Sequence, residues 1–422
     1  MKPGRVRSAE PCAEGRQIRR LMLFFALVYV VEGLGQTGGL IAQPLAYYLK
    51  EAFAWTPVQV TAGLTVLNLP WVIKPVYGIV SDFVPLLGYR RKAYLVLANT
   101  VAVAAFFWVT RLSTPNALIA ALLLTAYAMA ISSTLCGAVL VENGQRLNQS
   151  DAFVNQQWLW FNVAAVASAV LGGELVEHLS PQGALHIAAA IIGIAPVAAI
   201  FAALFLIDEK PSRLDFAELK NTFRGVLATF THRELWLIAL FLFLYYLNPG
   251  FGLPLYYYMT DTLKFSQAFI GWLGAINSLG WIIGAVLYRR FFDGMTSRRL
   301  LNLSILTGTI TTAAFLLLSN DINAVVINFF SGLAGMIAFV ATLSLAADFC
   351  PKRAEGFAFA ALMSILNLSS ALSNNLGSFL YEHAFHNRLA PLIIVSATAT
   401  AVIFLFIPLL RLGDKPSGAA AR

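Results

Sequence analysis

Charged side chains are scarce in this chain. Asp, Glu, Lys and Arg make up 12% of it, about half the share of a soluble domain. Hydrophobic types reach 59% and mean hydropathy is +0.72. A water-soluble fold cannot cover that much apolar surface, whereas lipid solvates it directly. Cysteine is equally sparse. Cys12, Cys136 and Cys350 lie far apart without metal-ligand spacing, which excludes a disulfide framework. His178, His186, His383 and His386 fall near the ends of apolar runs in no ligand-like pair, so no metal and no cofactor are expected. The chain has no phosphate loop of the Gly-Lys-Ser/Thr type, which argues against an ATP-driven pump. Nucleophile, base and metal-ligand clusters at one depth are also missing, and with them the mark of an enzyme. The net charge of +8 is dispersed rather than gathered in a basic domain, so nucleic acid is not an expected partner.

What the chain does have is apolar runs long enough to cross ~30 Å of hydrocarbon. The first six are Leu21 to Leu45, Pro57 to Val80, Ala93 to Leu112, Asn116 to Val141, Trp158 to His178 and Ala184 to Ile207. Six more follow: Leu235 to Met259, Ala268 to Tyr288, Leu300 to Leu318, Ala324 to Ala347, Gly356 to Tyr381 and Ala390 to Leu410. The first run continues past signal-peptide length without a small-residue cleavage site and is read as a retained span. Between the two sets, Asp208 to Glu234 interleaves Arg213, Asp215, Glu218, Lys220 and Arg224 with Leu214, Phe216, Leu219, Phe223 and Leu227. That spacing predicts a helix lying along the membrane surface.

The expected organisation is an all-α membrane protein of twelve transmembrane helices in two six-helix bundles. An N-terminal segment covers 1–20, the bundles 21–207 and 235–411, the linker 208–234 and a tail 412–422. With the N-terminus cytoplasmic, all but five of the 29 basic residues fall inside. Lys50, Arg111, Lys264 and Arg388 are outside, and Lys74 lies within a span. A wrong span count would scramble this bias. Trp55, Tyr256 to Tyr258 and Tyr381 are expected at the outer interface.

Leu69 to Lys92 joins the second and third spans and carries Gly78, Asp82, Gly88, Arg90, Arg91 and Lys92 in order. It resembles the signature loop of the major facilitator superfamily, whose fold has the same six-plus-six layout. Phe83 follows the acid where the commonest pattern has a basic residue, and the second glycine comes six positions after the acid instead of three. The longer version, with Lys74-Pro75 before it, is similar to the folate–biopterin transporter family. Leu244 to Gly271, with Thr260 to Phe265 and Ile270-Gly271, and Cys350-Pro351 to Leu366-Asn367 resemble that family too. Muropeptide permeases share a related loop. The resemblance implies a secondary transporter of a folate- or pteridine-like solute, with proton coupling. A muropeptide or another organic anion is the alternative cargo. A non-transporting receptor or an integral membrane enzyme is the alternative class.

Charges within spans cost about 2.5–3.5 kcal/mol at mid-helix and so mark function by default. Glu32 is the clearest. Gln36, Gly39 and Gln43 follow it at helical spacing, and a continuous helix puts all four on one face. Glu32 is expected either to bind substrate, to carry the coupling proton, or to hydrogen-bond a neighbouring helix. Lys74 either extends toward the interface or meets an anionic substrate, Glu32 or Asp82, with Pro75 permitting a kink beside it. Gly33-x-Gly35-x-x-Gly38 matches a dinucleotide fingerprint in letters only and is read as close helix packing.

Asn248-Pro249-Gly250, with Gly252 and Pro254, is expected to break the seventh helix, either at a cavity or as a simple kink. Tyr245 and Tyr246 precede the break, and the resemblance implies stacking on a flat ring there. Asn367, Ser370 and Asn374 share one face of the eleventh span, and Asn277 stands in the eighth. Asp82, Arg90 and Arg91 are expected to form a conformational latch, or simply to anchor the loop. Glu142 and Arg146 read as a surface pair.

Overall fold

A computed structural model of the chain describes residues 10–211, 233–292, 295–348 and 355–410. Most of the surface helix expected over 208–234, the first nine residues and the tail lie outside these. The described residues are almost wholly helical. The N-terminal half contains α1 (Glu10–Gly35), α2 (Ala42–Phe53), α3 (Pro57–Val72), α4 (Lys74–Phe83), α5 (Lys92–Val109), α6 (Pro115–Leu147), α7 (Ser150–His178) and α8 (Pro181–Leu206). The C-terminal half contains α9 (Arg233–Tyr246), α10 (Gly252–Tyr257), α11 (Gln267–Leu287), α12 (Ser297–Ala314), α13 (Asp321–Asp348), α14 (Glu355–Phe379) and α15 (Leu389–Val402).

Among the described residues, nine helices are long and apolar enough to cross a membrane. The other three expected spans are Leu21 to Leu45, Leu235 to Met259 and Gly356 to Tyr381. The first two are interrupted and the third is α14. Phe201, Phe205, Leu240, Val286, Ile310 and Phe330 remain exposed. Soluble monomers rarely leave so many large apolar side chains in water, and a bilayer accommodates them.

The first span departs from expectation. The helix stops at Gly35, turns through 36–41 and resumes at Ala42. Gly39 donates its N–H to Gln36 O at 2.8 Å and Leu40 donates to Leu34 O at 3.1 Å, which closes the turn. The continuous polar stripe is therefore split: Glu32 belongs to α1, Gln36 and Gly39 to the turn, and Gln43 to α2. Gly33 does serve close packing, since a Cβ there would lie 2.8 Å from Phe161 O.

The second span begins with a capping box. Thr56 Oγ1 accepts from Gln59 N–H while Gln59 Oε1 accepts from Thr56 N–H, and Pro57 occupies the first turn. It bends at Ile73, between α3 and α4. The seventh span breaks over 247–251, as its prolines require.

Arg90, Arg91 and Lys92 gather at one end, the basic end, around Asp82, Glu142 and Glu209. At the opposite, far end, the two halves are joined by a polar seam. Gln43 Nε2 donates to Gln267 Oε1 and O at 3.1 and 2.8 Å. Lys50 Nζ meets Asp261 at 2.5 Å and Thr260 at 2.9 Å. Thr61 and Ser378 share a 2.7 Å hydrogen bond, and Asn375 donates to Thr65 at 2.5 Å. Glu177 accepts from the Gln267 and Ala268 N–H groups and so caps α11. A Cβ on Gly173 would lie 2.9 Å from Gly271 Cα, so α7 and α11 touch backbone to backbone.

Tyr256, Tyr257 and Tyr381, expected at the outer interface, are buried within the protein. Tyr256 donates to Gln267 Oε1 at 3.0 Å and Tyr257 to Trp55 O at 2.5 Å. Their hydroxyls found partners inside the seam, which sequence position alone does not disclose.

Candidate functional site

Three helices bring Glu32 and Lys74 together. Glu32 lies one turn before the end of α1, and Lys74 opens α4 just past the bend. Between them stands Ser133 of α6. Its hydroxyl donates to Glu32 Oε1 at 2.7 Å and accepts from Lys74 Nζ at 3.0 Å. Both charged residues are half-buried. Lys74 Nζ also sits 4.3 Å from the centre of the Trp71 ring, a cation–π contact.

Pro75 extends this cluster into the C-terminal half. A helical residue at 75 would donate its N–H to Trp71 O, and proline has none to give. The freed Trp71 carbonyl instead accepts from Asn367 Nδ2 at 3.2 Å. Glu32, Ser133, Lys74, Trp71 and Asn367 thus form one connected polar set across α1, α6, α4, α3 and α14. Asn374 shares a face with Asn367 and Ser370, opposite the exposed Leu368, Leu372 and Leu376. Asn374 is nonetheless exposed, while Ser370 is half-buried.

The broken seventh helix meets this same helix. Gly250 N–H donates to Ser373 O at 2.9 Å, and Ser373 Oγ donates to Asn248 O. Gly250 and Gly377 approach so closely that neither position has room for a Cβ. Asn248 Nδ2 donates to Thr400 Oγ1 at 3.1 Å.

Two predicted residues are used in packing. Tyr245 turns into the core of the C-terminal half and donates to Ser304 at 3.1 Å, so it presents no open face for stacking in this conformation. Asn277 Nδ2 donates to Asn328 O at 3.1 Å and ties α11 to α13. Gln36, in the turn after α1, is half-buried.

At the basic end, Arg91 joins two acids. It is bonded to Asp82, to Glu142 at 2.7 Å and to Ser81 Oγ at 2.5 Å. Arg90 lies 3.4 Å from Asp82. Burial opposes the Arg91 charge, yet Asp82 and then Glu142 outweigh it and raise the guanidinium above its ordinary pKa. Glu142 is therefore not the surface partner of Arg146, which donates to Asn143 at 2.7 Å. The helix N-terminus here is capped by Glu209, not by Asp82. Its carboxylate accepts from the N–H groups of Arg90, Arg91 and Lys92 at 2.7, 2.9 and 2.8 Å. Ser133 and Glu209 are functional neighbours that the sequence alone does not mark. A serine in an apolar run and an acid after a distant span carry no local signal.

The model of the BT1 family matches residues 34–415. The folate-biopterin transporter of Synechocystis sp. is 30% identical, over 93% of this chain and 82% of that protein. Folate transporter 1 of Plasmodium falciparum is 26% identical, over 80% and 68%. Among solved structures, a variant of the nucleoside transporter NupG superposes with TM-score 0.73 at 13% identity, over 93% of this chain and 99% of that one. The D-xylose-proton symporter superposes with TM-score 0.66 at 11% identity, over 94% and 98%. Both are too distant in sequence to carry more than the fold, which is that of the major facilitator transporters.

Proposed function

The chain belongs to the BT1 family, and on that premise we propose that it is a secondary active transporter moving a folate- or pteridine-like solute by alternating access. The observation that carries this reading is the connected set Glu32–Ser133–Lys74–Trp71–Asn367. It places an acid, a base, an aromatic face and an amide at helix interruptions where the two halves meet. A pterin offers adjacent donors on its amino-pyrimidine edge, which suit a carboxylate. A folate tail offers carboxylates, which suit Lys74. Trp71 rather than Tyr245 stacks on the ring, and Asn367, Ser370 and Asn374 read its polar edges.

The far-end seam supports a conformation closed on that side. Opening requires Lys50, Gln43 and Thr61 to leave their partners across the halves, while the latch of Asp82, Arg90 and Arg91 governs the basic end. Glu32 carries the coupling proton in this scheme. The basic end and both termini face the cytoplasm, and the protein resides in the cell inner membrane.

The test is uptake into proteoliposomes of labelled folate, biopterin and a muropeptide, with and without an imposed proton gradient. Accumulation of folate or biopterin that collapses with a proton ionophore is the expected result. Uptake of the muropeptide alone would overturn the substrate, and gradient-independent equilibration would overturn the coupling.

A further inference from the structure

Helical serines and threonines in this chain mostly give their proton to their own helix. Thr134 donates to Ala130 O, Thr125 to Leu122 O, Ser278 to Gly274 O and Ser304 to Leu301 O. Ser133, beside Thr134, does otherwise: it donates 2.7 Å to Glu32 and accepts 3.0 Å from Lys74. A hydroxyl has a single proton, so the order of the chain is fixed as ammonium to hydroxyl to carboxylate.

The two charges need a partner of this kind. The Glu32 carboxylate lies one turn from the C-terminal end of α1, where the helix dipole disfavours a negative charge. Lys74 is the first residue of α4 and faces the indole of Trp71. Joined directly, they would make a closed ion pair in a poorly solvated setting, with each group committed to the other. Joined through a hydroxyl, each keeps hydrogen-bonding capacity for a third party.

We propose that Ser133 is a positioning residue that holds Glu32 and Lys74 apart as a split acid–base pair, so that a solute bearing both donor and anionic groups engages the two at once. This rests on the transport reading and deepens it by naming the chemistry selected: an amphoteric solute rather than a plain anion or cation. Bound solute takes over the bonds that Ser133 makes in its absence.

The experiment compares wild type, Ser133→Ala and Ser133→Thr in proteoliposomes with labelled folate. Ser133→Ala removes the spacer and leaves both charges. Losing two charge-assisted hydrogen bonds predicts a KM raised about tenfold, with the maximal rate within about threefold of wild type. Ser133→Thr, which keeps the hydroxyl, returns KM close to wild type. An unchanged KM in Ser133→Ala, or equal defects in both variants, overturns the proposal.

Should wild type itself take up no folate, the substrate reading fails, and a second readout decides this one. Acylation of Lys74 by a membrane-permeant amine reagent, followed by peptide mass spectrometry, is expected to run severalfold slower in Ser133→Ala, where the ammonium closes directly on Glu32, than in wild type or Ser133→Thr. Equal rates in all three overturn the positioning role without reference to any solute.

Discussion

Charges inside a membrane are legible because they are expensive, and Glu32 and Lys74 stood out for that reason alone. Their partner did not, because a serine within an apolar run is ordinarily satisfied by its own helix. Glu209 escaped notice for a different reason: its three donors lie more than a hundred residues earlier, and only the fold joins them. The Glu142–Arg146 spacing misled because an i,i+4 pair on a helix surface is weak, while Arg91, 7% exposed, holds Glu142 more firmly.

Two predictions belong at this scale. Glu32→Gln abolishes gradient-driven accumulation but retains counterflow exchange, because the amide preserves shape and cannot take up the proton. Accumulation at the wild-type level would remove Glu32 from coupling. Glu209→Ala leaves three N–H groups at the start of α5 without their anion and lowers stability by about 1–2 kcal/mol. A thermal unfolding scan in detergent checks it, and an unchanged midpoint would show the cap to be replaceable by water.

Among the elements, the uninterrupted helices were the easy part, since apolar length fixes them. The seventh-span break was legible because Pro249 beside Gly250 removes an N–H donor and weakens the helix at adjacent positions. The first-span break was not. Its glycines read as packing residues, and Gly33 is one, but the run through Gly38 and Gly39 also lets the chain turn. Glycine permits both uses, and periodicity does not choose between them. The contact of Gly250 with Gly377 makes a sharp prediction: Gly377→Val forces α14 away from the broken helix. Folded protein by fluorescence-detected gel filtration should fall steeply, or the protein should fold with less than a tenth of wild-type uptake. Leu376→Val, on the exposed face next to it, should do neither.

For the whole molecule, the positive-inside bias anticipated where basic residues collect, as the cluster around Asp82, Glu142 and Glu209 attests. It did not anticipate that the far end would be tied across the halves by polar side chains. Gln43 and Gln267, Lys50 and Asp261, and Thr61 and Ser378 are each more than two hundred residues apart, and the tyrosines beside them resemble an interfacial belt in sequence. If that seam must part in each cycle, fixing it stops transport. With Thr61 and Ser378 oxygens 2.7 Å apart, the double variant Thr61→Cys and Ser378→Cys should cross-link under mild oxidation and lose uptake, with recovery on reduction. Cross-linked protein that still transports would mean these residues remain together throughout the cycle.

The bend at Ile73 gives α4 the character of a lever. Lys74 is at its fulcrum and Asp82, eight residues on, is about 12 Å along the arm. A tilt of about 12° barely displaces the ammonium but carries the carboxylate roughly 2.5 Å, beyond the reach of any hydrogen bond. A slight adjustment at the pivot would therefore be amplified at the basic end, where Arg91 holds Asp82.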